Sequence, residues 1–177
     1  MSRFARGLGA AAAAMLASAG VAHGVADAGP SDAEIAHIAY TAGAIDVAAG
    51  EQALAKSKNA TVRSFAEAMI RDHQAVNVQA LALVKKLNVT PAANGTSTAL
   101  SSQAEAAMKR LGSLDGTEFD RAYLDNEVAF HRTVNGALET QLIPSADNAE
   151  LKALLGTGLT LFREHQAHAE HVAASLK

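Results

Sequence analysis

The chain has no cysteine and no tryptophan, only three prolines, and just five phenylalanines and two tyrosines among 177 residues. Without cysteine there is neither a disulfide framework nor a thiol for lipidation, so stability has to come from side-chain packing. No Gly-x-Ser-x-Gly elbow and no glycine-rich phosphate loop is present. With the cysteine nucleophile also missing, the usual sequence signatures of an enzyme are absent. Lys and Arg number 15 against 18 Asp and Glu, for a net charge of −3. No basic cluster with interleaved aromatics occurs, which argues against nucleic acid as a partner. Alternating β-branched runs are also lacking, which removes sheet architectures from consideration.

What is present begins with a segment of export type. Arg3 and Arg6 precede an Ala-rich apolar run through Met15 and Leu16, and then the small-residue pattern Ala17-Ser18-Ala19. That is the layout of a signal peptide over residues 1–22, with cleavage after Ala19 or Ala22 and the periplasm as destination. The run is too short and too Ala-rich for a comfortable membrane span of roughly 20 residues, and no second candidate follows, so no span is expected after cleavage. The remaining stretch of about 150 residues is enough for one domain with a real core, read here as residues 31–176.

Helical periodicity fills that stretch. Ser31 with Glu34 forms a capping box, and Ile35, Ile38, Ala42, Asp46, Ala49 and Ala53 make the inner stripe of a first helix ending near Lys56. Asn59 can cap a second helix with the stripe Val62, Phe65, Met69, His73, Val76, Ala80, Leu83 and Leu87, broken after Asn88 by Pro91 and Gly95. A polar stretch over 89–97 leads into a shorter helical piece from about Leu100 to Leu111. Thr117 and Asp120 then open a third long helix carrying Phe119, Tyr123, Glu127, Phe130 or His131, Val134 and Leu138, with Pro144 marking the turn. Asp147 and Glu150 box the fourth, with the stripe Leu151, Leu154, Gly158, Leu161, His165, His168 and Val172. The expected fold is therefore all-α, an antiparallel four-helix bundle of ferritin-like arrangement. Its one long crossover, between the second and third long helices, contains the short helix.

The stripes carry polar residues where core residues belong. An unpaired polar group out of water costs on the order of 1 to 3 kcal/mol, so each inward imidazole needs an acceptor, a metal or local exposure. Measured from the helix midpoints at about 1.5 Å per residue, Asp46, His73 and His131 fall in one layer. His165 is displaced by roughly one turn, toward the level of Asp120 and Tyr123, with Glu127 between the two levels. A carboxylate with imidazoles from separate helices is the donor set of a divalent transition ion, and zinc, copper, iron and nickel all tolerate it. The candidate metal ligands are Asp46, His73, His131, His165, Glu127 and His168. The competing reading is a set of core histidines satisfied by Asp46, Glu127 or backbone carbonyls. Glu34 and His37 have the Glu-x-x-His spacing of a di-iron bundle, but they lie in a first turn and the motif is not repeated. Arg63, Glu67 and Arg71 read as an exposed charge ladder.

Several of these segments together resemble a known family. They are Ala42 to Gly50 with Asp46, Val62-Arg63-Ser64-Phe65-Ala66 to Met69 with Asp72-His73, Gly116 to Phe119-Asp120-Arg121-Ala122-Tyr123-Leu124 with His131, and Leu161 to His165. The chain resembles the exported bacterial family known as domain of unknown function 4142 over nearly all of its mature length. The resemblance implies a ferritin-like bundle in the cell envelope without an established activity. It matches His73, His131 and His165 to the family's histidines, and Asp46 to a position where glutamate is usual. Thr160 departs from a Leu-Pro pair, which implies a straighter last helix.

Three functions compete on this reading. The first is a periplasmic bundle binding a divalent transition metal for storage, delivery or protection against stress. The second is a non-catalytic structural or interaction bundle of the envelope, whose polar layer only sets helix register. The third is a di-iron oxidase.

Overall fold

The computed structural model describes residues 29–176, so the export-type segment at 1–22 lies outside the described residues. Among the described residues every regular element is a helix and there is no strand. Helix α1 spans Asp32–Lys56. Its start is held by the expected box, with Ser31 N–H and Oγ donating to Glu34 Oε2 at 2.9 and 2.8 Å. After a three-residue turn α2 spans Ala60–Lys86, and Asn59 Oδ1 accepts from Thr61 and Val62 N–H at 2.9 and 3.3 Å. Arg63 is not part of a charge ladder. It donates to the carbonyls of Leu54 and Ser57 at 2.5 and 3.1 Å and so staples the turn, while Arg71 pairs with its neighbour Asp72. Asn88 ends the helix in the left-handed region at φ 53°, a conformation that asparagine tolerates better than most residues.

The crossover helix α3 spans Gly95–Gly112, beginning five residues earlier than the periodicity suggests. The cause is a reciprocal cap: Asn94 N–H donates to Ser97 Oγ and Ser97 N–H to Asn94 Oδ1, at 3.1 and 2.9 Å. The segment before α3 is pinned to the start of α1 by Ala92 N–H on Ala33 O, and its far end meets the other end of α1 through Gln52 on Met108 O. It therefore runs parallel to α1 and carries the chain back along the bundle. Helix α4 covers Gly116–Ala137 from an Asp115 cap, so the start expected at Thr117 moves back to Gly116, which sits at φ 56° where glycine is least strained.

Helix α4 does not run unbroken to its turn. A π-helical turn at Leu138–Leu142 and a short helix α5 at Ile143–Ser145 follow it. Pro144 has no N–H to give Thr140, and its ring crowds that carbonyl, which accounts for the widened turn just upstream. Helix α6 spans Ala149–Ser175. Asn148 caps it, one residue beyond the expected Asp147, because both carboxylate oxygens of Asp32 take the N–H groups of Asp147 and Asn148 at 2.9 and 3.0 Å.

The four long helices form the expected ferritin-like bundle, with α1 against α2, α4 against α6, α2 against α6 and α1 against α4. Each is antiparallel to its neighbours, and the crossover leaves α2 and α4 parallel on the diagonal. The interior is two apolar clusters with polar residues between them. One end packs Val62, Phe65, Met69, Phe119, Tyr123 and Leu124, with Phe65 and Tyr123 edge to face at 6.1 Å. The other packs Ile35, Ile38, Leu138, Leu142, Leu151 and Leu155 around an apolar cavity of about 120 Å³. At roughly 24 cal/mol per Å³, an unfilled space of that size costs about 3 kcal/mol, so the two ends are not equally tight.

Truncation should report this asymmetry. Phe65→Ala, in the tight end, is expected to cost about 3 to 5 kcal/mol of unfolding free energy, and Leu83→Ala, half-buried at the hollow end, about 1 to 2. Urea denaturation measures both, and equal losses would contradict the difference in packing.

Candidate metal centre

Five buried ionisable side chains from all four long helices make up the layer between the two clusters: Asp46 on α1, His73 on α2, Glu127 and His131 on α4, and His165 on α6. One ligand atom from each of His73, His131 and His165 lies within 4.8 Å of the others. The same holds for Asp46, Glu127 and His131, so His131 belongs to both groups. Ring centroids stand 5.6 Å apart for His73 and His131, 5.1 Å for His73 and His165, and 5.6 Å for His131 and His165. Tetrahedral bonds of 2.0 to 2.1 Å require ligand atoms about 3.3 Å apart, so these side chains would draw together around an ion.

Hydrogen bonds decide which nitrogens are free. His131 Nδ1 lies 3.0 Å from the carbonyl oxygen of Glu127. A carbonyl only accepts, so Nδ1 carries the proton and Nε2 presents its lone pair to the layer. His165 Nε2 lies 3.2 Å from Asp72 Oδ2, which likewise leaves Nδ1 as the free nitrogen. His73 Nε2 is 3.4 Å from Asp46 Oδ2 in a poor hydrogen-bonding geometry, and neither of its ring nitrogens has a hydrogen-bond partner. His131 Nε2 and His165 Nδ1 are likewise unpartnered, so four buried imidazole nitrogens in the layer have no protein partner, whereas a proton between the Asp46 and Glu127 carboxyls lets those two hydrogen-bond each other.

Burial dominates the charge states. It pushes His73 down to about 3 and His131 down to about 4, with His165 also lowered, so all three imidazoles are neutral at physiological pH. Burial and then the adjacent Glu127 raise Asp46 well above the usual aspartate range, and burial pushes Glu127 up to about 8. Asp72 behaves differently. Burial pulls it up, but hydrogen bonds from Arg71 and His165 hold it below its ordinary value, as an anion that orients the His165 ring.

A family model described as "Domain of unknown function (DUF4142)" matches residues 16–172. The chain belongs to the DUF4142 family. No curated protein matches this DUF4142 chain. Among solved structures it is similar to the crystal structure of a DUF305 protein from Streptomyces coelicolor, described as secreted. The two share 13% identity at a TM-score of 0.65, over 78% of this chain and 89% of that one. At such identity the likeness shows the helical fold alone.

Of the six ligand candidates, five converge and one does not. His165 reaches the layer, although its Cα lies three residues past the midpoint of α6. Helical side chains lean toward their own N-terminus, and that lean carries its ring back to the level of His73 and His131. His168 is exposed, with its ring edge on Phe65 at a centroid distance of 5.2 Å, and belongs to neither ligand group. Three residues turn a helix by about 300°, and the buried stripe of α6 continues at Ala169 and Val172 instead. Glu34 is used by the α1 cap, and His37 pairs with Thr41 at 3.4 Å in the next turn, so neither enters the layer. Two participants have no sequence signal of their own: Asp72, which orients His165, and Phe162, stacked on His73 at 4.8 Å and 11°. The Asp-His pair at 72–73 hints at the first only once α6 is known to lie beside α2.

Metal-free protein should show a bell-shaped dependence of stability on pH. The histidines fold with lowered values, so their contribution is present above 6.5 and is lost as pH falls toward 3 to 4. Glu127 folds with a raised value, so its contribution is present below 4.5 and is lost as pH rises toward 8, with Asp46 acting in the same direction. The melting temperature is expected to peak between pH 4.5 and 6.5 and to fall on both sides. A monotonic rise from pH 5 to 8 in a thermal melt series would contradict the buried protonated carboxyls.

Proposed function

We propose that this layer holds one divalent transition-metal ion and that the protein is a periplasmic metal-binding bundle serving storage, delivery or protection against metal or oxidative stress. The observation that carries the reading is the set of four unpartnered imidazole nitrogens, from three helices, in one buried layer beside two carboxyls. At about 1 to 3 kcal/mol each, leaving them unpaired would cost an amount comparable to the roughly 5 to 15 kcal/mol by which a domain is stable. An ion satisfies several of them at once. Neutral imidazoles are ready ligands, whereas the protonated carboxyls must release a proton to bind, so metal uptake should be proton-linked.

The donor set fits a single ion. His131 Nδ1 is engaged by the Glu127 carbonyl, so the two ligand groups share one free nitrogen at His131 and are read as the shell of one ion. His73, His131 and His165 would supply nitrogen, and Asp46 or Glu127 the oxygen, a mixture suited to zinc, copper, iron or nickel. Asp72 would serve as the carboxylate behind His165, fixing its tautomer and ring direction. Export is supported by the signal-type segment at 1–22 and by the secreted description of the structural relative. The described residues contain no helix long and apolar enough to cross a membrane.

Elemental analysis of protein dialysed against each metal tests the reading. About one equivalent is expected for the native chain, and none for His73→Ala with His131→Ala, whose helical circular dichroism should persist. Unchanged uptake in the double variant would remove the site from this layer. A native chain that takes up no metal, with a double variant that only melts earlier, would instead make the layer a structural register device. Asp72→Asn is expected to weaken metal affinity by about 10- to 100-fold without loss of the fold, measured by competition with a chromogenic chelator.

A further inference from the structure

The hollow end of the bundle has a composition unlike its tight end. Its cavity of about 120 Å³ is walled by residues from all four long helices, and no Asp, Glu, Lys, Arg or His lines it. Alanines 36, 39, 42, 80 and 137 line it, whereas Phe65, Met69, Phe119 and Tyr123 fill the opposite end, and short side chains on facing helices keep the space open. Gly158 adds to it: a Cβ there would meet only the Phe162 ring, at 3.4 Å, so the backbone packing does not demand a glycine. The exposed lining residues are Thr96, Thr133 and Gln141, which puts the mouth where α3 faces α4 and the π turn. The inner end is Phe162, whose ring stacks on His73.

We propose that this cavity is a binding site for a small uncharged apolar molecule of about the size of a monocyclic aromatic. Three observations converge on that class. The volume approaches the roughly 150 Å³ of an apolar protein cavity that takes up benzene. Asn77 is the one polar side chain of the wall that is not exposed, with its amide lying against Gly43, and a single such group falls short of the two to four partners a water usually has, so an apolar occupant is favoured over solvent. The absence of any charged lining residue excludes ions and zwitterions, whose desolvation nothing would offset. The mouth on the α3 side gives such a molecule a route that does not cross the polar layer. Its occupant would press on one side of the Phe162 ring while His73 holds another, so occupancy is felt at the layer through a single aromatic contact. The site does not rest on the metal reading.

Titration of metal-free protein with toluene tests it. A saturable rise in melting temperature of about 2 to 4 °C is expected, with intermolecular nuclear Overhauser effects from the toluene methyl to the Phe162 ring and Leu155 methyls. Ala80→Leu and Ala137→Leu, made separately, each fill the space. Each folded variant should bind toluene at least tenfold more weakly, and two positions are used so that overpacking at one does not decide the test. No saturable shift and no Overhauser contacts up to the solubility of toluene would overturn the proposal. So would a shift that survives in both filled variants, or contacts that map to the bundle surface. Because the assay contains no metal, its outcome is independent of whether the layer binds one.

Discussion

The costliest feature of this bundle is a slab of five ionisable side chains across its middle. Asp46, His73, Glu127, His131 and His165 are all nearly out of water, and they divide the apolar interior into two separate clusters. Charge cannot be kept there without compensation, and the imidazoles and carboxyls respond in opposite senses, the first losing protons and the second retaining them. Burial thus drives every member of the layer toward its uncharged form. Imidazole lone pairs from three helices and two carboxyls with raised proton affinity therefore face one another at one level.

Geometry at the layer is set from outside it. The Glu127 carbonyl chooses the His131 tautomer, and the partly exposed Asp72 chooses that of His165. Both leave the free nitrogen facing inward. Phe162 stacks on His73 and holds that ring from the hollow side, so one aromatic residue belongs to the wall of the layer and to the wall of the cavity. Loose packing beyond Phe162 contrasts with the Phe65, Phe119 and Tyr123 packing at the other end. A polar layer and an apolar hollow thus lie within one helix length of each other.

Much of this architecture could be read in advance because helix periodicity is local. The α1 stripe of Ile35, Ile38, Ala42, Asp46, Ala49 and Ala53 is buried as the spacing predicts, and the single crossover with its short helix is where the polar stretch places it. Errors gathered where two local rules compete or where small angular offsets accumulate. Asn94 and Asn148 captured helix starts from weaker neighbours. On α6 the alternation of threes and fours had two continuations after His165. Only packing against Phe65 and its neighbours selected Ala169 over His168 for the interior.

Residue types and their spacing determined the number of long helices, the face each one buries and the presence of imidazoles and a carboxylate on those faces, because these follow from 3.6 residues per turn. Tertiary structure alone decided that His165 joins His73 and His131, that His168 does not, and that Asp72 and Phe162 take part. Convergence depends on the relative height and rotation of separate helices, quantities fixed by how side chains lean and interlock across the bundle. No single helix carries that information.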